Sequence, residues 1–517
     1  MTCPLPNGWR VVKIGELTTL LRGVTYKKSD SASEERPGYV PILRATNIGE
    51  RLSFDDLVHV SSTYISRDQM LRAGDIVVAA SSGSRAVVGK AALLDRPWHG
   101  SFGAFCFVLR PSAEGVSSRF LAYFMATSAY RNKVSALAAG VNINNLKRDH
   151  IESLEMPLAP PAQQERIAQA LDEEFTKLDS AITSLHRVQA NLKRYRASVL
   201  KAAVEGRLVP TEAELARREG RAYEPAKVLL DRILAERRRR WEEAELRRLT
   251  AKGRVPKDDQ WKSRYITAAL PEEANLPALP EGWIWATLDQ LCEAIQYGYT
   301  ASSRVNAAGP RFLRITDIQD GQVSWADVPG CEIAELDVAT YLLQPRDLVF
   351  ARTGATTGKS YLIRGCPEAV FASYLIRCRP LPLVEAEFIY AFFQSPGYWQ
   401  QIGVAKRGVG QPNVNGRVLA GIHVPIPPAT EQVRIVSETD RLLCLAQTAS
   451  VASKVSLMRC HQLRNSVLRW AFSGKLVDQD PTDEPADLLL ARIRDKRTKA
   501  AAPPDPKPRN RRSRSRS

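Results

Sequence analysis

The chain has 517 residues, 44% of them apolar and 25% charged, with 30 glycines and 32 prolines, an ordinary globular composition long enough for roughly three to four domains and too long for one. Its 73 basic and 56 acidic residues leave a net charge of +17, of which residues 496–517 alone carry +8. The excess over the body is mild; it favours nucleic acid over a basic ligand and calls for local patches. The eight cysteines form no CxxC pair and sit mostly in apolar runs, so they read as small buried hydrophobes of a reducing compartment rather than as disulfides or a zinc site. The first residues lack a basic start followed by an apolar stretch, and no window approaches the ~18 apolar residues of a membrane span, so the expectation is a soluble intracellular protein.

In chain order, residues 1–157 mix short β-rich runs bounded by Gly, Pro and Ser, such as Asp75-Ile76-Val77-Val78-Ala79, with one apolar helical stretch from Phe120. This pattern predicts a compact α+β module. Residues 158–210 open on Pro160-Pro161, a natural stop before a helix, and continue for about 43 residues without Gly or Pro, roughly 65 Å of helix at 1.5 Å per residue. Within it Leu171, Phe175, Leu178, Ile182, Leu185, Gln189, Leu192, Arg196 and Val199 follow steps of four and three, the heptad seam of a coiled coil with two polar flaws. Residues 211–274 are charge-dense, reaching an extreme at Arg237-Arg238-Arg239-Arg240-Trp241-Glu242-Glu243, and read as a solvated helical linker whose acids offset its arginines.

Residues 275–424 predict a second module, with Asp347-Leu348-Val349-Phe350-Ala351 and an apolar stretch from Phe388. Residues 425–478 open on Pro427-Pro428 and predict a second long helix. The seam positions there are Thr439, Leu443, Ala446, Ser450, Ser453, Leu457, Cys460, Arg464 and Val467, and the small ones would let two helices approach closely. Pairing of the two helices is preferred to each packing on its own module. Residues 479–517 read as a short helix and a disordered basic tail.

The chain is thus written twice. Leu5-Pro6-Asn7-Gly8-Trp9 recurs as Leu279-Pro280-Glu281-Gly282-Trp283 at an offset of 274, and Leu43-Arg44-Ala45-Thr46-Asn47-Ile48 as Leu313-Arg314-Ile315-Thr316-Asp317-Ile318 at 270. Gly89-Lys90 recurs as Gly358-Lys359 at 269, and Gly206-Arg207-Leu208-Val209 as Gly474-Lys475-Leu476-Val477 at 268. Even Glu224-Pro225-Ala226 returns as Glu484-Pro485-Ala486. Elements are held while loops vary.

Motifs of chemistry are mostly missing. Gly354-Ala355-Thr356-Thr357-Gly358-Lys359-Ser360 imitates a phosphate-binding loop but is one residue short, and the first copy has five residues between Gly83 and Gly89. The six histidines are scattered without HExxH, so metal and Ser/His catalysis lack support. The residues flanking both Pro-Pro pairs do not form an adenine-methylating motif. What the copies share are polar loops. Arg44, Thr46 and Asn47 match Arg314, Thr316 and Asp317; Ser82, Ser84, Arg85 and Lys90 match Arg352, Thr353, Thr356, Thr357 and Lys359; Asn142, Asn144, Asn145 and Lys147 match Lys406, Arg407, Gln411, Asn413 and Asn415. Arg and Lys donate to guanine, Asn and Gln pair both ways with adenine, and neighbouring glycines admit phosphate, so these loops are the candidate DNA contacts. The structural alternative is that Asn and Ser cap turns and that Arg44 and Arg314 are paired internally.

The Leu-Pro-x-Gly-Trp start, the Leu-Arg-x-Thr-Asn/Asp-Ile segment, the Gly-Lys loop, the Pro-Pro entry with 163-QQERI-167 or 431-EQVRI-435, and the Gly-Arg/Lys-Leu-Val ending resemble the specificity subunit of type I restriction-modification systems, over about residues 5–490. The resemblance implies an α+β fold of two tandem mixed α/β target recognition domains, each followed by a long helix, the two helices pairing as an antiparallel coiled coil. Each recognition domain would read one half of a bipartite, asymmetric site in double-stranded DNA. The helices would set the spacer and dock two methyltransferase subunits, which bring S-adenosylmethionine; restriction subunits would join them, and ATP and Mg would belong to the partners. The chain itself would hold no cofactor, metal or active site and would be cytoplasmic, at the nucleoid when bound to DNA. Two other readings stay open at this point: the recognition portion of a self-sufficient restriction-methylation enzyme, and a coiled-coil scaffold.

Overall fold

The computed structural model describes residues 5–112, 115–138, 144–272, 276–305, 307, 309–319, 321–354, 356–405 and 414–501. The chain forms two compact units, residues 1–186 with 454–517 and residues 187–453.

In the first unit the short β-branched runs pair because they are apolar enough to be covered on both faces. Thr18–Arg22, Cys106–Pro111, Ile76–Ala79 and Ala91–Leu93 lie in that order in one antiparallel sheet, with Leu109 opposite both Leu20 and Ile76. A second sheet takes Ser31–Ala32, Val58–Ser61, Tyr39–Leu43 and Ser101–Phe102, the last two parallel. The second unit repeats this plan. Cys292–Tyr297, Leu375–Pro380, Leu348–Ala351 and Ser360–Leu362 form the first sheet, and Ser303–Arg304, Gly330–Cys331, Arg311–Leu313 and Ala369–Phe371 the second, again with one parallel pair. The duplication read in the sequence is a duplication of topology.

The two long helices run Pro161–Val204 and Ala429–Phe472, and they pack together antiparallel. In the first unit Arg464 donates to Asp179 at 2.8 Å and its guanidinium lies 4.2 Å from the Phe175 ring centroid, while in the second Arg196 donates to Gln447 at 2.8 Å. Leu171, Phe175, Leu178, Val199, Ala446 and Val467 are buried, and Ile182, Leu185, Leu192, Leu443 and Leu457 are half-buried, as a heptad seam requires.

Each unit's core draws on both helices. That of the first joins Trp9, Phe120 and Phe124 with Ile167 and Leu171 of the first helix, Val467, Leu468 and Ala471 of the second, and Leu489, Leu490 and Ile493 of the helix Ala486–Ala501. That of the second joins Trp283, Phe388 and Phe392 with Ala203 and Val204 of the first helix and Ile435 of the second. It also includes Leu229, Leu230 and Ile233 of the helix Ala226–Ala251. The repeated motifs now have physical roles. The indole N–H of Trp9 donates to Gln163 and that of Trp283 to Glu431, both at 2.9 Å. Gln164 and Gln432 cap back on the Ala159 and Pro427 carbonyls at 2.8 and 2.9 Å, locking helix entry to the module. The Glu-Pro-Ala segments dock their Ala486 and Ala226 N–H groups on the Gly8 and Gly282 carbonyls, at 2.9 and 2.8 Å.

Two expectations are corrected. Residues 211–274 are not merely a solvated linker, since Leu229, Leu230 and Ile233 are core, and the four consecutive arginines all pair with carboxylates: Arg237 with Asp289, Arg238 with Glu242, Arg239 with Glu236 and Glu243, and Arg240 with Glu236 and Glu293. Of the cysteines, Cys106, Cys292, Cys331 and Cys378 are buried, but Cys444 is exposed and Cys366 and Cys460 are half-buried; Cys3 lies outside the described residues, as does the tail 502–517.

At the N-terminus of the helix Ala386–Gln394, half-buried Glu385 shares a hydrogen bond with Glu387, and that contact together with burial pushes its carboxyl up to about 7. A carboxyl raised in the folded state gives its full stability below the ordinary carboxylate range and loses it as pH rises through about 7. Glu385→Gln is therefore expected to flatten the fall in the urea midpoint between about pH 5 and pH 8; a slope equal to wild type would remove this assignment.

Candidate nucleic-acid interface

Antiparallel registers bring particular strand ends to one edge of each main sheet. In the first module Phe107 lies opposite Arg22 and Val78, so Thr18–Arg22 and Ile76–Ala79 end where Cys106–Pro111 begins. Three loops meet there. The Phe105 carbonyl accepts the N–H groups of Ala80 and Ser81 at 2.8 and 3.1 Å, the Ala80 carbonyl accepts that of Leu146 at 2.8 Å, and Asn144 and Asn145 pair with Ser82 and Ser81. Ser84, Arg85, Asn145 and Lys147 are exposed and Ser82 and Lys90 half-buried at this edge, and Arg85 donates to Ser135 at 3.0 Å.

The second module builds the same edge with other chemistry. The Tyr374 carbonyl accepts the Arg352 N–H at 3.1 Å and the Arg352 carbonyl that of Val414 at 2.9 Å. The Arg352 guanidinium lies 4.7 Å from the Tyr297 ring centroid, and Tyr297 Oη accepts the Gly416 N–H at 2.7 Å. Thr353 and Thr356 are half-buried and Lys359 exposed beside it, while Asn415 uses its side-chain oxygen to cap Gly416–Ala420 at Val418 N–H, 2.9 Å away.

The remaining candidates divide. Asn47 and Asp317 are corrected: Asn47 is 4% exposed, accepting the Arg44 N–H at 2.9 Å and donating to the Asp55 carbonyl at 2.8 Å, and Asp317 holds the Arg314 N–H at 2.8 Å and its guanidinium at 2.7 Å. Both close a short helical turn, which is why the sequence carries an Asn or Asp there. Thr357 is also corrected, being 1% exposed with its hydroxyl donating to the Gly354 carbonyl at 2.7 Å. Arg44 pairs with Asp56 at 2.9 Å, leaving Thr46 and Thr316 as the exposed residues of those turns. Asn142, Lys406, Arg407, Gln411 and Asn413 lie outside the described residues.

The glycine of the Gly-Lys loop is there for packing. Gly89 and Gly358 have φ of +75° and +99°, and a Cβ on them would fall 2.0 Å from Val134 Cγ1 and 2.8 Å from Trp399 Cζ3. Glycine alone lets the loop close onto the helix beneath, with no phosphate required. Sequence reading also missed a buried ion pair in each module. Asp75 receives Arg110 at 2.7 Å on both oxygens, and Asp347 receives Arg379 at 2.8 Å on both. The repeated Leu109-Arg110-Pro111 and Cys378-Arg379-Pro380 were the available signal.

No described helix is long and apolar enough to cross a membrane. Residues 6–193 and 280–444 match the family model described as type I restriction modification DNA specificity domain. The chain is 31% identical over 509 residues to the type I restriction enzyme EcoKI specificity subunit of Escherichia coli K12, covering 95% of this chain and 96% of that protein. To the StySPI specificity subunit of Salmonella potsdam it is 29% identical over 510 residues, at 95% and 96% coverage. Its fold resembles a solved chain from a study of assembly and conformational transition in a type I R-M system, with a TM-score of 0.62, 17% identity and coverage of 92% and 100%. Two matched segments, each coinciding with one of the two copies of the fold, and likeness along nearly the full length of these relatives place the chain in the family of type I restriction-modification DNA specificity proteins.

Proposed function

We propose that the chain is the DNA sequence-specificity subunit of a type I restriction-modification complex and carries no active site of its own. Each module reads one half of a bipartite, asymmetric duplex site, and the helix pair sets the spacer and docks two methyltransferase subunits. Methyl transfer from S-adenosylmethionine belongs to those partners, and ATP- and Mg-dependent translocation and cleavage to restriction subunits. The complex acts in the cytoplasm, at the nucleoid.

The observation that carries this reading is one architecture used twice with different edge chemistry: Arg22 and Ala80 in one module stand where Tyr297 and Arg352 stand in the other. A correctly read base pair contributes about 1–3 kcal/mol, so one short half-site discriminates poorly over a genome, and two joined half-sites add their energies. The test is to express the chain with its methyltransferase partners in a host free of adenine methylation and to map N6-methyladenine. The expected result is one motif of two unlike halves with a fixed gap. A palindromic or ungapped motif, or methyl transfer by the purified chain alone, would overturn the reading.

Two substitutions separate base reading from phosphate contact. Asn145→Ala is expected to lower discrimination in one half only, by about 5- to 150-fold. Lys359→Ala is expected to weaken all duplexes alike and to lower the salt slope of binding by about one. Fluorescence-anisotropy titrations at several salt concentrations read both, and equal loss in both halves for Asn145→Ala would argue against modular reading.

A further inference from the structure

We infer that Phe105 and Tyr374 are the apolar DNA contacts of the two modules, each ring lying against the bases of its own half-site. The inference rests on the DNA-reading role proposed above. Phe105 is 67% exposed and Tyr374 63% exposed, although each stands at the start of a strand whose next residues are fully buried. They occupy the same place. Gly103 bridges to Val24 and Ala372 to Tyr299, and the two residues after each bridge form the turn that leads into Cys106–Pro111 or Leu375–Pro380. The two copies have otherwise diverged there, Ala104-Phe105-Cys106 against Ser373-Tyr374-Leu375, yet both set an aromatic ring in solvent.

The turn is rigid on both sides. The backbone carbonyl of Phe105 is held by Ala80 and Ser81 and that of Tyr374 by Arg352, so each ring is anchored to the loop that carries the polar candidates. A Cβ on Gly23 would sit 2.0 Å from the Gly103 oxygen and one on Gly298 2.2 Å from the Ala372 oxygen, so the neighbouring strand end presses directly on the turn. Arg22 lies opposite Phe107, two residues beyond Phe105, and Ser82 follows the Ser81 whose N–H the Phe105 carbonyl accepts. In the second module the Arg352 guanidinium donates to the Ser373 carbonyl beside Tyr374 at 3.4 Å, and the Lys359 carbonyl accepts the Ala351 N–H next to Arg352. These are cations and hydroxyls suited to phosphate and base edges. Among such groups an apolar ring gains nothing from phosphate. The apolar surfaces of a duplex are thymine methyls and the faces of partly unstacked bases.

The test uses the full chain with its methyltransferase partners on the mapped site. Phe105→Ala and Tyr374→Ala are each expected to weaken site binding by roughly 5- to 150-fold, each sensitive to changes in a different half, with the melting temperature unchanged because the rings are already in solvent. Tyr374→Phe should bind as wild type. Uracil in place of thymine in one half, reducing wild type to the level of the Ala variant, assigns the methyl. A rise in 2-aminopurine fluorescence on binding that the Ala variant loses assigns the base face. Weakened binding with neither probe responding would overturn base contact in favour of the sugar-phosphate backbone. Unchanged binding by both Ala variants, while Asn145→Ala and Lys359→Ala lose it, would overturn the inference and leave the functional reading intact; absence of site-selective binding by the unaltered complex would instead defeat that reading.

Discussion

Asp347→Ala is expected to take about 3–5 kcal/mol from the stability of the second unit and to lower its urea midpoint well below that of wild type. Asp347 is 1% exposed and answers two guanidinium groups: both its oxygens accept Arg379 at 2.8 Å, and Arg377, itself only 4% exposed, stands 3.8 Å away. One oxygen also accepts the Gln344 N–H at 2.9 Å, closing the turn before Leu348–Ala351. Burial, with the like charge of Arg379 nearby, pushes Arg377 down to about 10. Breaking one partner of a buried pair costs about 3–5 kcal/mol because the remaining charge is stranded, against a total stability of about 5–15 kcal/mol. The first module makes the lesser wager, since Asp75 answers one guanidinium, that of Arg110, besides the Arg72 N–H at 2.8 Å. Urea unfolding followed by tryptophan fluorescence reads this, and a midpoint for Asp347→Ala equal to wild type would show the cluster to be dispensable.

The second large effect concerns helix length. Removing residues 190–196 together with 447–453, segments that face each other through Arg196 and Gln447, deletes one heptad from each helix and so preserves the phase of the seam. Each helix shortens by about 10 Å, close to three base pairs of duplex. Methylation at the wild-type site is expected to fall to background, with a new motif of the same two halves and a gap about three base pairs shorter. Methylome sequencing checks it; an unchanged gap would mean that the helices do not set the spacer.

How much of this was legible in sequence depends on the range of the interaction. The seam through Leu171, Phe175 and Leu178 was readable because a period needs only local spacing, and the duplication because order survived where loops did not. Residues that close a local turn or pair with a distant residue were misread. Asn47 looks like an adenine reader until Asp55 and the Arg44 N–H claim its amide. Asp75 and Arg110, 35 residues apart, carry no local pattern that joins them. Phe105 was hidden by its setting, an apolar run in which its neighbours Cys106 and Phe107 are indeed buried. In 211–274 the density of charge masked Leu229, Leu230 and Ile233, whose helical spacing was present all along.

The sharing of helix ends between cores sets an order of assembly on the ribosome. The second unit is a continuous stretch and can close as it emerges. The first cannot, because Trp9, Phe120 and Leu171 wait for Val467, Leu468 and Ile493, made about 280 residues after the first unit's own leading segment is finished. At typical rates of translation that delay is about 15–55 s, during which a nascent apolar groove stands open and invites chaperones or a neighbouring nascent chain.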